Sequence, residues 1–150
     1  MTKLWAAILT VAATLAVISP SAGAASPPKP ATAAELAQAV QSAGWGCDDF
    51  EANDPANTLS IGNIPKGDAG HYTIDGERSE VTVYRTKADL AAATAAGPTL
   101  ACSLGKSTGT TVIRWVSGSK WVISTKSSAT APKLAKALHA KAHAYNCKRS

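Results

Sequence analysis

Tyr72-Thr-Ile-Asp-Gly-Glu-Arg-Ser-Glu-Val-Thr-Val-Tyr-Arg85 is the stretch on which the reading of the fold turns. Tyr72 to Ile74 and Glu80 to Arg85 are strand-like, and Asp75-Gly76 between them is a tight-turn signal, because a two-residue hairpin loop needs positive φ and Asp-Gly supplies it. The stretch therefore predicts a β-hairpin. Downstream, Thr111 to Val116, a Ser-Gly-Ser turn and Lys120 to Ser124 predict a second one. Upstream, Thr32-Ala-Ala-Glu35 is a capping box, Leu36 and Val40 share a helical face, and Gly44 stands where a glycine ends a helix, which predicts a helix over 32–43. Thr86 with Asp89 repeats the cap, and Gly97-Pro98 predicts a stop, so the second helix is expected over 87–96. A third is expected over 131–145, with Leu134, Leu138 and Tyr145 on its buried stripe. The order α-ββ-α-ββ-α implies an α+β domain. Its simplest form is a two-layer sandwich, in which three helices cover one face of an antiparallel four-stranded sheet. Residues 45–70, rich in Gly, Asn and Pro, read as a long loop with at most one short strand.

The 150 residues fit a single small domain, expected over 32–150. Lys3, the apolar run Leu4 to Ile18, Pro20 and the small residues Ala22-Gly23-Ala24 have the form of a secretory leader over 1–24. Ser26-Pro-Pro-Lys-Pro30 then reads as an extended tether over 25–31. The run is too short for a membrane span of about 20 residues, so a secreted or cell-envelope location is expected, with no transmembrane anchor after cleavage. In an oxidising compartment Cys47, Cys102 and Cys147 are expected to form one disulfide. The three pairings differ little in loop entropy, and the leftover thiol is either inert or a route to a dimer.

Charge is segregated along the chain. Residues 25–89 hold ten acids and five bases, whereas residues 90–150 hold nine bases and no acid. One reading is internal balance between the halves. The other is a basic face for an anionic polymer, with Lys106, Arg114, Lys120, Lys126, Lys133, Lys136 and Lys141 as its candidates. Trp115 and Trp121 flank the second turn. A three-residue loop would set them on one face as a stacking pair, and a two-residue loop would split them; packing into the core is the expectation for both.

Gly44-Trp-Gly-Cys47-Asp-Asp-Phe50, Tyr72-Thr-Ile-Asp-Gly76-Glu, the Lys87-Ala-Asp-Leu90 helix start and Gly118-Ser-Lys-Trp121-Val-Ile together resemble a widespread, mostly uncharacterised group of small exported actinobacterial proteins. The resemblance covers about residues 32–145 and implies a layout and a compartment, not an activity. Members often pair the cysteine after the first helix with one just before the Asp-Gly turn, where this chain has Gly70-His-Tyr72. The resemblance thus implies that Cys47 is the odd thiol and that Cys102 pairs with Cys147.

No pattern in the chain demands catalysis. His139, His143 and Cys147 lie four apart, which would align them on one face if the third helix reached that far, but no fourth ligand accompanies them. Asp48, Asp49, Glu51 and Asp54 cluster without the glycine and terminal glutamate of a calcium loop, and His71 has no nucleophile motif beside it. Neither a metal nor a cofactor is expected. The sequence therefore predicts a small exported non-enzymatic binding module, envelope-associated through its basic half, whose partner is an anionic polymer or another secreted or envelope protein. The alternative is a protein–protein effector or inhibitor that uses the 45–70 loop as its contact.

Overall fold

A computed structural model describes residues 26–46, 49–54, 64–105 and 109–147. The leader over 1–24, Cys47, Lys106 and the middle of the 45–70 segment lie outside the described residues. The elements run α1 (Ala33–Ser42), β1 (Glu51–Ala52), β2 (Asp68–Ile74), β3 (Glu77–Val83), α2 (Lys87–Gly105), β4 (Val112–Ser117), β5 (Trp121–Thr125), α3 (Thr130–Ala137) and β6 (Lys141–Asn146). The fold is α+β. Its sheet has six strands in the order β1-β2-β3-β5-β4-β6, and every neighbouring pair is antiparallel.

Both hairpins form where the turn chemistry places them. Asp75 and Gly76 take φ of 51° and 75°, the paired positive values of a turn whose twist matches its strands. In the second hairpin Gly118 N–H donates to the Trp121 carbonyl at 3.1 Å, leaving Ser119 and Lys120 as a two-residue loop. Gly118 is obligatory there, since a Cβ would collide with the Trp121 indole. The register Trp115↔Ser124 then puts the two tryptophans on opposite faces of the sheet.

α1 is held at its N-terminal end by three bonds. Thr32 Oγ1 accepts from Glu35 N–H at 3.2 Å, and Glu35 accepts from Ala31 N–H at 2.7 Å. Asp68, at the start of β2, accepts from Ala33 N–H at 2.6 Å and so ties the helix to the sheet. Its stripe of Ala33, Leu36, Ala37 and Val40 packs with Ala131, Leu134, Ala135 and Leu138 around α3 onto Tyr72, Ile74, Val81, Val83, Val116, Trp121 and Ile123. Burying each large side chain here contributes about 1.5–3 kcal/mol, so this cluster dominates the fold.

Four expectations are corrected. The sheet has six strands rather than four, because edge strands β1 and β6 join the two hairpins. The helices do not form one layer: α1 and α3 cover one face, whereas α2 lies on the other, with Leu90 and Ala93 against Tyr84, Val122 and Ile64. The second face needs its own cover because Val122 and Trp115 point to it.

The second helix does not stop at Gly97-Pro98 but continues to Gly105. Pro98 deprives the Thr94 carbonyl of its helical partner, a defect worth up to about 3 kcal/mol in a free helix. Burial of Pro98 and Cys102, and a disulfide from Cys102 to Cys147, hold the far segment in place. Finally, the third helix ends at Ala137, and residues 141–146 are strand. His139 takes φ 50°, its N–H donates to the Lys136 carbonyl at 3.3 Å, and Ala140 N–H donates to the Ala135 carbonyl at 2.8 Å. Those two bonds are a Schellman stop with histidine in the position glycine usually fills.

The 26–30 segment is docked rather than free. Trp121 Nε1 donates to the Pro28 carbonyl at 3.2 Å, and Pro30 is buried.

Candidate functional site

Three pieces of backbone meet at the β4–β5 turn end of the sheet: the docked 26–30 segment, the turn itself, and the stop that ends α3 and launches β6. They enclose a cleft of about 590 Å³ whose polar lining among the described residues includes Lys29, Ser117, Ser119, His139, Lys141 and His143, and no carboxylate. His143 is fixed there: its Nε2 lies 2.8 Å from Ser117 Oγ, and its ring stacks on Trp115 at 5.1 Å between centroids and 10° between planes. Two ammonium groups, two hydroxyls and two imidazoles around a cavity with no acid make a chemistry suited to an anion.

The remaining basic candidates do not converge on this cleft. Lys120 sits in the adjoining turn, and Lys133 and Lys136 are exposed on α3. Arg114 Nη1 donates to the Lys126 carbonyl at 3.2 Å, at the other end of β5. Trp121 is a core residue, 1% exposed, whereas Trp115 is half-buried on the opposite face. His139, His143 and Cys147 share no helix face: His139 ends α3, His143 lies on β6, and Cys147 is spent in the disulfide with Cys102. The helical alignment on which a metal-ligand set would rest is therefore absent.

Among the described residues no ion pair joins the acidic half to the basic half. The one contact within ion-pair distance among the described residues is His71 Nε2 to Glu51 at 2.8 Å, and it is an ion pair only where the imidazole carries the charge. Several of the described acids are taken up at helix starts instead. Asp68 caps α1, Asp89 accepts from Thr86 at the start of α2, and Asp75 accepts from Thr130 Oγ1 at 2.8 Å at the start of α3. Asp49 accepts from Thr73 through both the hydroxyl and the backbone N–H, and these bonds hold its carboxyl below its ordinary value.

A second polar group was not anticipated. On the face shared with α2, beyond the end that α2 covers, Asn53, His71, Arg78, Glu80, Ser124 and Lys126 line a cleft of about 380 Å³. His71 Nδ1 lies 3.1 Å from Asn53 Oδ1, and Arg78 Nη2 lies 2.5 Å from His71 Nε2. The signal was available in alternation, because His71 and Thr73 on β2 face Glu80 and Arg78 on β3 once the Asp75-Gly76 turn fixes the register. Nearby, burial raises the hydroxyl pKa of Tyr84. Lys29, His139 and His143 had no such signal, since only the docked 26–30 segment and the histidine-ended helix bring them together.

No family model matches the chain, and no curated protein or solved structure matches it.

Proposed function

We propose that this chain is a small exported, non-enzymatic binding module that docks an anionic partner through the C-terminal side of its sheet. The observation that carries the reading is the acid-free cleft between Lys29 and Lys141, set in a half of the molecule whose lysines have no carboxylate partner among the described residues. Lysines left in water act through long-range attraction that reaches about 10 Å at ordinary salt, so they steer and retain a polyanion without a single deep contact. Export rests on the leader over 1–24 and on the resemblance to small actinobacterial exported proteins. The third cysteine, Cys47, gives a route to a covalent dimer.

The test is retention of the mature protein on cell-envelope material and on immobilised polyphosphate across a salt gradient. Each lysine near an anionic surface contributes about 1 kcal/mol. Lys29→Glu with Lys141→Glu should therefore weaken retention more than tenfold. Lys133→Glu with Lys136→Glu should weaken it less, because those side chains stand outside the cleft. Retention that ignores both salt and charge reversal would end the reading.

A further inference from the structure

The hydrogen-bond phase of the sheet shows which backbone groups are spent and which are open. Cys147 N–H donates to the Thr111 carbonyl at 2.8 Å, in line with the register Val112↔Asn146 to Ser117↔Lys141. In an antiparallel pair the bonded positions alternate, so Lys141, His143, Tyr145 and Cys147 direct their N–H and C=O groups to β4. Ala142, Ala144 and Asn146 direct theirs away from the sheet. None of those outward groups has a backbone or side-chain partner among the described residues.

Native edges are usually blunted by proline, inward charge, bulges or a covering element. β6 has no proline, its register is continuous, its lysine stands only at the first position, and two of its three outward-bonding residues are alanines. We infer that the outer edge of β6 accepts an extended acidic segment of another polypeptide as a seventh, edge-added strand. The sign of the partner rests on the binding role proposed above. From residue 90 to residue 147 the described chain carries Arg114, Lys120, Lys126, Lys133, Lys136 and Lys141 and no acid. A second copy laid against this edge would bring two such halves together, whereas an acidic strand would meet Lys141 at the start of the edge and a half of the described chain that carries bases and no acid.

The probe is a capped peptide of alternating glutamate and valine, added to ¹⁵N-labelled mature protein, with polyphosphate as a polyanion that cannot form a strand. The peptide should slow amide exchange at Ala142, Ala144 and Asn146 roughly tenfold or more, while His143 and Tyr145, already bonded to β4, change little. Ala144→Pro removes one outward N–H and no bond to β4, a placement that edge strands tolerate. It should weaken the peptide roughly tenfold and leave polyphosphate affinity unchanged.

Equal peptide affinity in wild type and Ala144→Pro would overturn the inference, as would protection that appears elsewhere. Protection of the three amides without peptide, in step with dimer formation by sedimentation, would assign the edge to a second copy and overturn it too. If the variant fails to fold, the exchange pattern of the wild type decides alone. Loss of polyphosphate binding in the wild type, with the three amides still protected by peptide, would break the anionic docking role and leave the strand site standing.

Discussion

At the β1 edge of the sheet, the outward N–H of Thr73 is claimed by the Asp49 carboxylate at 2.8 Å, and the two-residue β1 covers His71 and Gly70. At the β6 edge, six residues run with their outward backbone groups unclaimed among the described residues. The difference follows from the charge pattern. An acid-rich segment supplies carboxylates that can cap stray N–H groups, and the acid-free segment has none to spend. Segregation of charge along the chain thus becomes one closed and one open side of the same sheet.

Removing the disulfide should have the largest effect on this contrast. Cys102→Ser with Cys147→Ser frees a loop spanning 45 residues and unties α2 from the end of β6, an expected loss of about 4 kcal/mol by denaturant titration. A loss below about 1 kcal/mol would mean that β6 and α2 are held by packing alone.

On the closed side, Gly70→Ala places a Cβ 2.5 Å from the Phe50 ring and 2.8 Å from the Glu51 carbonyl. It should cost about 1–3 kcal/mol and detach β1, seen as faster exchange of Asn53 N–H, which bonds to the Ala69 carbonyl. An unchanged melting temperature would show that β1 is not part of the closure.

The smallest effect is expected from acid. The Thr73 hydroxyl, then its N–H, holds the Asp49 carboxyl below the ordinary value of 3.8. A lowered folded value means that the contact stabilises the fold above the ordinary carboxylate range and is lost as pH falls through the lowered value. The Thr73 amide shift should follow that step, and Asp49→Asn should erase it. An amide that ignores acid in the wild type would remove Asp49 from the account.

The two helix stops show how far the sequence could be read. α1 and α3 end on the same pair of bonds, Gly44 to Gln41 and Trp45 to Val40 in one, His139 to Lys136 and Ala140 to Ala135 in the other. Glycine at positive φ announces the first stop; histidine conceals the second, and Lys141-Ala-His-Ala-Tyr145 satisfies helical and strand periods alike. The hairpins were legible because Asp75-Gly76 and the Ser-Gly-Ser segment are turn chemistry. Continuation of α2 through Pro98 was not, because what holds it lies in burial and in a disulfide outside the local sequence. Lys141 was legible as one basic candidate among several and Lys29 was not, because the cleft that unites them depends on Trp121 holding Pro28.

The disulfide also marks the fold chemically. Cys147 follows β6, after every other described element in the chain, and its partner stands 45 residues earlier on α2. In the folded chain the two sulfurs meet where α2 lies on the second face and β6 pairs with β4. A chain bridged between Cys102 and Cys147 therefore carries a covalent record of that contact, and peptide mapping of the bridge tells it from a pairing that uses Cys47.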